Sequence, residues 1–169
     1  LIDERWEVFI VRKWQWTFWC MNNFKDEIPN YYLKRKSDLD MIEYSLIRVK
    51  NKNLANELFL RINEKEEKFE DIASKYSEGP EKYTNGHIGP LPIGNSHPSL
   101  AQFLKISEEN KVSSPRMIDS WWVILRKEKL LNTSLNDEII QKLSLELGGT
   151  FLNNTIDSFI KKDSIGKQI

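Results

Sequence analysis

The sequence predicts an α+β protein: a domain over residues 38–130, with helical arms at 1–37 and 131–169. Three observations carry this prediction. Near each end of the central region stands an apolar run of period two, MIEYSLIRV at Met41–Val49 and SWWVIL at Ser120–Leu125. In the first run Ile42, Tyr44 and Leu46 fall on one face, and in the second Trp121, Val123 and Leu125 alternate against Trp122 and Ile124, as in strands. Between the two runs, and again beyond them at both ends of the chain, apolar residues recur every three or four positions, as in amphipathic helices.

The first arm, RWEVFIVRKWQWTFWCMNNF, holds four of the six tryptophans. Trp6, Phe9, Ile10 and Lys13 follow helical spacing, as do Phe9, Trp16 and Cys20. Apolar residues surround this helix, so something must cover it: the C-terminal helix or a second chain. A helix lying in a membrane interface is an alternative that its thin polar face disfavours. After Pro29, YYLKRKSDLD continues as a helix end, with a break expected at Ser37 or Asp38.

In the strand Met41–Val49, Ile42, Tyr44 and Leu46 fall on one face. Asn51 or Asn53 can cap the next helix, whose inner face is Leu54, Leu58 and Ile62. A second helix follows the polar EKEEK, with Phe69, Ile72, Ala73 and Tyr76 at i, i+3, i+4 and i+7. Gly79 is expected as its left-handed stop, and Pro80 forbids continuation. HIGPLPI can hold one brief strand, confined to an edge by its prolines. Pro98–Ile106 reads as a short helix with Leu100, Phe103 and Leu104 inward. ENKVSSP turns into the closing strands, where Trp121, Val123 and Leu125 alternate against Trp122 and Ile124. The last helix, residues 135–162, shows Leu135, Ile139, Leu143 and Leu147, with an interruption expected at Gly148-Gly149.

Lys plus Arg and Asp plus Glu both total 25 in 169 residues. A balanced chain without a basic cluster gives no electrostatic footprint for nucleic acid. Cys20 is the one cysteine, which leaves no internal disulfide and no two-cysteine zinc pattern; between Trp19 and Met21 it reads as a small core hydrophobe. No apolar run approaches the length of a membrane span. No signal segment is visible, which favours a cytoplasmic location, although a chain that starts at Leu1 leaves its true start open.

The turn-rich stretch from Lys75 to Pro98 holds four of the seven glycines, four of the six prolines and both histidines. His87 and His97 are ten residues apart, with only Glu78 and Glu81 as nearby carboxylates. Transition-metal sites want three or four convergent ligands, so neither a metal nor any other cofactor is expected. The stretch reads as scaffold that reverses the chain on positive-φ glycines and stiff prolines.

From Asp38 to Leu130 the order of elements and their punctuation resemble the parvulin family of peptidyl-prolyl cis-trans isomerases, the PpiC-type rotamases. YSLIRV stands where parvulins have their opening strand, and FEDIASKYSEGP is similar to the family's F-x-x-x-A-x-x-Y-S helix. TNGHIGPLPIG resembles its G-G-D-L-G turn and edge segment, with His87 at the Asp, and HPSLAQFLKI its following short helix. NKVSSPRMIDSWWVILRKEKL resembles the closing hairpin, with Asn110 in place of a left-handed glycine. The resemblance implies a small, mostly antiparallel four-stranded sheet with surrounding helices. Flanking helical arms resemble those of secreted and periplasmic foldases of the SurA and PrsA type.

It also implies chemistry that needs no nucleophile. The barrier of about 18–20 kcal/mol to X-Pro rotation comes from amide resonance, so a site need only grip the proline, desolvate the imide and favour the twisted state. Parvulins usually carry two histidines on adjacent strands and a Cys or Asp nearby. Position by position, Ser45 and Trp122 stand for the histidines and Gly79 for the Cys or Asp, with Ser77 and Glu78 beside it. The resemblance thus assigns Ser45, Ser77, Glu78 and Trp122 to the catalytic site, and Leu100, Phe103, Leu104, Ser96, His97 and Trp121 to substrate binding. One reading is an isomerase with a degenerate site, acting on proline-containing peptides or unfolded client proteins in assisted folding. The other is a non-catalytic peptide-binding or chaperone module. A third class, an interaction protein, would use the aromatic N-terminal helix, which also offers a surface for self-association.

Overall fold

The structure, a computed structural model, describes residues 4–166 and the side chains of residues 8–161. Trp6, assigned above to one face of the first helix, has its side chain outside that range. The chain divides into two compact units: Lys36–Thr133, and a helical unit from the residues up to 35 and from 134 onward.

The 36–133 unit is built on a four-stranded antiparallel sheet in the order β2-β1-β4-β3, with β1 Met41–Val49, β2 His87–Pro92, β3 Val112–Ile118 and β4 Trp121–Leu131. The two most apolar strands are central and pair directly: Leu46 opposes Leu125, Ile47 opposes Ile124, Arg48 opposes Val123 and Val49 opposes Trp122. The proline-bearing β2 is an edge, as its missing N–H donors require.

Period-two alternation sends β1 and β4 into two separate cores. On one face Ile42, Tyr44, Leu46, Val123 and Leu125 pack with Ala101, Phe103 and Leu104 of α5 (Pro98–Ile106). On the other, Ile47, Val49 and Ile124 pack with Ala55, Leu58 and Ile62 of α3 (Lys52–Asn63) and with Phe69, Ile72 and Ala73 of α4 (Phe69–Tyr76). Asn51 caps α3: its side-chain oxygen accepts from the Asn53 and Leu54 N–H groups at 2.8 and 3.2 Å.

Helix α2 (Ile28–Leu39) runs through Ser37 and Asp38, where a break was expected. Pro29 sits in its first turn, where no N–H is needed, and the helix ends only at Asp40. Asp40 explains the stop: its carboxylate accepts from Lys36 Nζ at 2.9 Å and from the Thr133 N–H at 2.8 Å. Gly79 is not the left-handed stop of α4. Its φ of −106° is ordinary extended backbone, and Ser77 caps the helix in an extended conformation. Left-handed positions include Lys65 after α3, Asn85 and Gly86 before β2, Asn110 before β3 and Asp119 between β3 and β4.

In the helical unit, α1 (Glu4–Asn23) packs against α6 (Asp137–Gly166). Cys20 is fully buried, and burial pushes its thiol up from its ordinary value. The expected interruption at Gly148-Gly149 is absent: α6 is continuous. A Cβ on Gly148 would strike Cys20 Sγ, so this glycine is the price of close helix approach, while a Cβ on Gly149 would meet nothing within 4 Å. Trp19 and Phe151 add a ring contact at 5.6 Å, and Arg35 bonds Glu146 at 2.5 Å. Among the described residues, no helix is long and apolar enough to cross a membrane.

Two glycine substitutions should move stability in opposite directions. Gly86 has φ +86°, and a Cβ there would lie 2.9 Å from Ala73 Cβ and 3.0 Å from the Leu46 carbonyl oxygen. Gly86→Ala should therefore lower the urea midpoint by the equivalent of ~2 kcal/mol or more. Gly149→Ala, in an open helical position, should raise it by up to ~1 kcal/mol.

Candidate active site

Beyond Ser45, β1 has no β2 partner, and its edge is completed by the segment that follows α4. The Glu78 N–H donates to the Arg48 carbonyl, and the Leu46 N–H to the Gly86 carbonyl, each at 2.9 Å. Wrapping this edge carries residues 77–81 from the α4 face of the sheet toward the α5 face. There Pro80 starts a 3-10 turn, Pro80–Thr84, that directs Glu81 inward.

The Glu81 side chain has no exposure. Its two oxygens accept from Arg48 Nε at 2.9 and 3.0 Å, and one also accepts from Arg48 Nη2 at 2.5 Å. The Ser77 hydroxyl donates to Glu81 Oε1 at 2.5 Å and accepts from the Arg48 N–H at 3.1 Å. Burial alone would raise the Glu81 pKa. The hydrogen bonds from Arg48 and Ser77 outweigh it and hold the carboxyl below its ordinary 4.5. The same pairing raises Arg48. Tyr44, two pleats along on the same face, has its phenol pushed up chiefly by burial, with the Ser96 hydroxyl and Arg48 opposing. Ser96 Oγ is a shielded side-chain oxygen without a hydrogen-bond partner among the described residues.

Gly79 has a spatial role. A Cβ built there would fall onto Arg48 Nε and the Glu81 carboxylate. The place that the resemblance gives to a Cys or Asp side chain is filled instead by an ion pair reaching in from β1 and the 3-10 turn.

The ten residues assigned from the sequence separate into four places. Leu100, Phe103, Leu104 and Trp121 join the α5-side cluster. Phe103 and Leu104 are buried within it, whereas Leu100 and Trp121 keep partly exposed apolar surface. Ser96 and His97 stand at the start of α5; His97 Nε2 lies 3.4 Å from an Asp119 carboxylate oxygen, both side chains about half exposed. Ser77 and Glu78 lie on the β1 edge, Ser77 within the Arg48–Glu81 network and Glu78 accepting from the Lys50 N–H at 3.0 Å.

Ser45 and Trp122 are on the opposite face. Ser45 opposes Arg126, and its hydroxyl bonds Glu128 in a network with Arg126 and Glu70. Trp122 packs on the α3–α4 core under the Lys52 ammonium, 5.1 Å from the ring centroid. One residue along a strand reverses the face, so neither can join Leu100 and Trp121. The residues not assigned from the sequence are Tyr44, Arg48 and Glu81. A signal existed: the face Ile42, Tyr44, Leu46 extends by period two to Arg48, a charge on an otherwise apolar stripe.

A family model of the PPIC-type PPIASE domain, Rotamase, matches residues 44–129, just over half of the chain. The chain belongs to the PPIC-type rotamase family. Among solved structures, this rotamase is similar to the peptidylprolyl isomerase PrsA of Bacillus anthracis, at 18% identity and a TM-score of 0.58 over 97% of this chain and 76% of that one. It is likewise similar to PrsA of Bacillus cereus, at 21% identity and a TM-score of 0.58 over 85% and 55%. A SurA-like chaperone of Campylobacter jejuni matches at 14% identity and a TM-score of 0.51 over 95% and 71%. At these identities the likeness is one of fold. No curated protein sequence matches the chain. As a rotamase it departs from the histidine pattern described above: His87 lies on the edge strand β2, and His97 at the N-terminus of α5. Among the described residues, no group of three or more His, Cys, Asp and Glu side chains could hold a metal ion.

The depressed Glu81 pKa gives stability a pH dependence of definite sign. Its contribution is complete above the ordinary carboxylate value of 4.5 and is lost as pH falls from there through the lower folded-state value. Urea unfolding at a series of pH values should show an acid limb below about pH 5 that Glu81→Gln flattens. Glu81→Ala, which strands Arg48, should cost about 3–5 kcal/mol at neutral pH.

Proposed function

We propose that the 36–133 unit catalyses cis-trans isomerisation of X-Pro bonds in peptides and unfolded client proteins, with the proline ring seated on the apolar surface around Leu100 and Trp121. The observation that carries this reading is the pairing of apolar and polar surface on the α5 face. Leu100, Trp121 and Ile118 are partly exposed there beside Arg48, whose side chain is 29% exposed and held by Glu81. An apolar seat next to a fixed polar group is what the reaction needs: it removes water from the imide and favours the state in which resonance is lost.

A specific observation favours the second reading, a binding module without catalysis. Neither β1 nor β4 carries a histidine, and both positions matched to the family's histidines face away from the seat. In both readings the bound ligand is the same, and turnover separates them. In the helical unit, Phe9, Ile10, Trp14 and Phe18 are exposed, Trp14 and Phe18 stacking at 5.4 Å. This surface supports self-association through α1.

Leu100→Ala with Trp121→Ala should weaken binding of an Ala-Leu-Pro-Phe peptide, read as NMR shift changes, by about tenfold while the fold persists. Trp122→Ala should leave that affinity near wild type and lower stability instead, by ~3 kcal/mol. Sedimentation velocity over a concentration series should show a larger species that Trp14→Glu removes.

A further inference from the structure

One way for a protein to favour the twisted X-Pro state is a hydrogen-bond donor aimed at the prolyl nitrogen. In the planar amide the nitrogen lone pair is delocalised and the oxygen is electron-rich. In the twisted state the lone pair returns to nitrogen, which becomes an acceptor, and the oxygen loses charge. A donor on the oxygen therefore opposes rotation, while a donor on the nitrogen assists it, and only interactions stronger in the twisted state raise the rate.

The polar groups on the α5 face can be tested against that requirement. The Ser77 hydroxyl is committed to Glu81. The Glu78 carboxylate is an acceptor, tied to the Lys50 N–H. Tyr44 is buried in the core, and Ser96 Oγ is shielded. His97 is at the rim, about half exposed and facing Asp119. Lys50 is exposed, its ammonium 5.3 Å from the Trp121 ring centroid, and a solvated, single-point cation is not a preorganised donor.

Arg48 remains. It stands opposite Val123, beside Trp121 on the same face. Its Nε and Nη2 are fixed by Glu81, which locks the plane of the guanidinium, while Nη1 carries no hydrogen bond to the described residues. The side chain keeps 29% of its exposure, so a ligand can reach it. Pinned on one edge and open on the other, the fork is a preorganised donor whose orientation is set before substrate arrives.

We infer that Arg48 is the catalytic group of this rotamase, donating from Nη1 to the prolyl nitrogen of the twisted X-Pro bond, with Glu81 as the residue that positions it. This rests on the isomerase reading above. The pair thereby does the work that the resemblance assigns to side chains this chain lacks.

The experiment uses the full chain, with Ala-Leu-Pro-Phe as the probe. NMR exchange spectroscopy gives the cis-trans rate at saturating peptide, and shift titration gives Kd. The key variant is Arg48→Met with Glu81→Met, since replacing both partners of a buried pair by apolar side chains is often tolerated. The expected result is a folded variant with Kd within about twofold of wild type and a saturating rate lower by about tenfold or more. A variant that keeps the wild-type rate overturns the inference and leaves the isomerase reading standing. Loss of binding in step with loss of rate also overturns it, because Arg48 would then hold substrate and twisted state alike. If wild type binds the peptide but accelerates nothing, the isomerase reading falls and takes the inference with it. Should circular dichroism show the double variant unfolded, Arg48→Lys decides: it keeps the charge opposite Glu81 but not the planar fork. A tenfold slower rate at unchanged Kd is then expected, and an unchanged rate overturns the assignment.

Discussion

A carboxylate with no contact with water stays ionised only if its surroundings replace every interaction that hydration supplied. Glu81 imposes that demand on this fold, and much of the local structure follows from meeting it. Arg48 must lie on the α5 face of β1, Ser77 must leave α4 in an extended conformation, and residue 79 must have no side chain. The 3-10 turn at Pro80–Thr84 delivers Glu81 to the same point. The segment between α4 and β2 is therefore an anchored strap along the open edge of β1, not a passive connection.

The sheet divides stability from function by parity. From Ser45 to Val49 the odd-numbered residues of β1, with Trp122 and Ile124 of β4, look toward α3 and α4, and all of these but Trp122 are buried. The opposite parity looks toward α5, a helix of nine residues that is too short to cover the whole surface. What α5 leaves open lies near the ends of β1 and β4, where Arg48 and Trp121 come side by side. A binding surface here is the part of a core that one short helix fails to roof.

Much of this was legible in the sequence. Strong periodicity named β1, α3, α4, α5 and β4, and the order of those elements was enough to suggest the family. What the sequence leaves open has a physical cause. Counting along a motif puts Ser45 and Trp122 among the candidates without fixing their face, which one residue along a strand reverses. Gly79 and Gly148 were read for backbone freedom or helix breaking, when each makes room for side chains distant in sequence, Arg48 and Glu81 for one, Cys20 for the other. Such needs are set by tertiary contacts and leave no local trace. Ser37 and Asp38 were read as a break because the polar residues gave no sign that Asp40 would meet Thr133.

The crowding at Gly79 reaches beyond this chain. A side chain at that position and an Arg48–Glu81 pair beneath it claim the same volume, so they are alternatives. A lineage moving from one to the other must pass through a form with either a steric clash or an unpaired buried charge, and each step is unfavourable until its counterpart has changed. Positions 48, 79 and 81 thus behave as one heritable unit, with substitutions at any of them contingent on the other two.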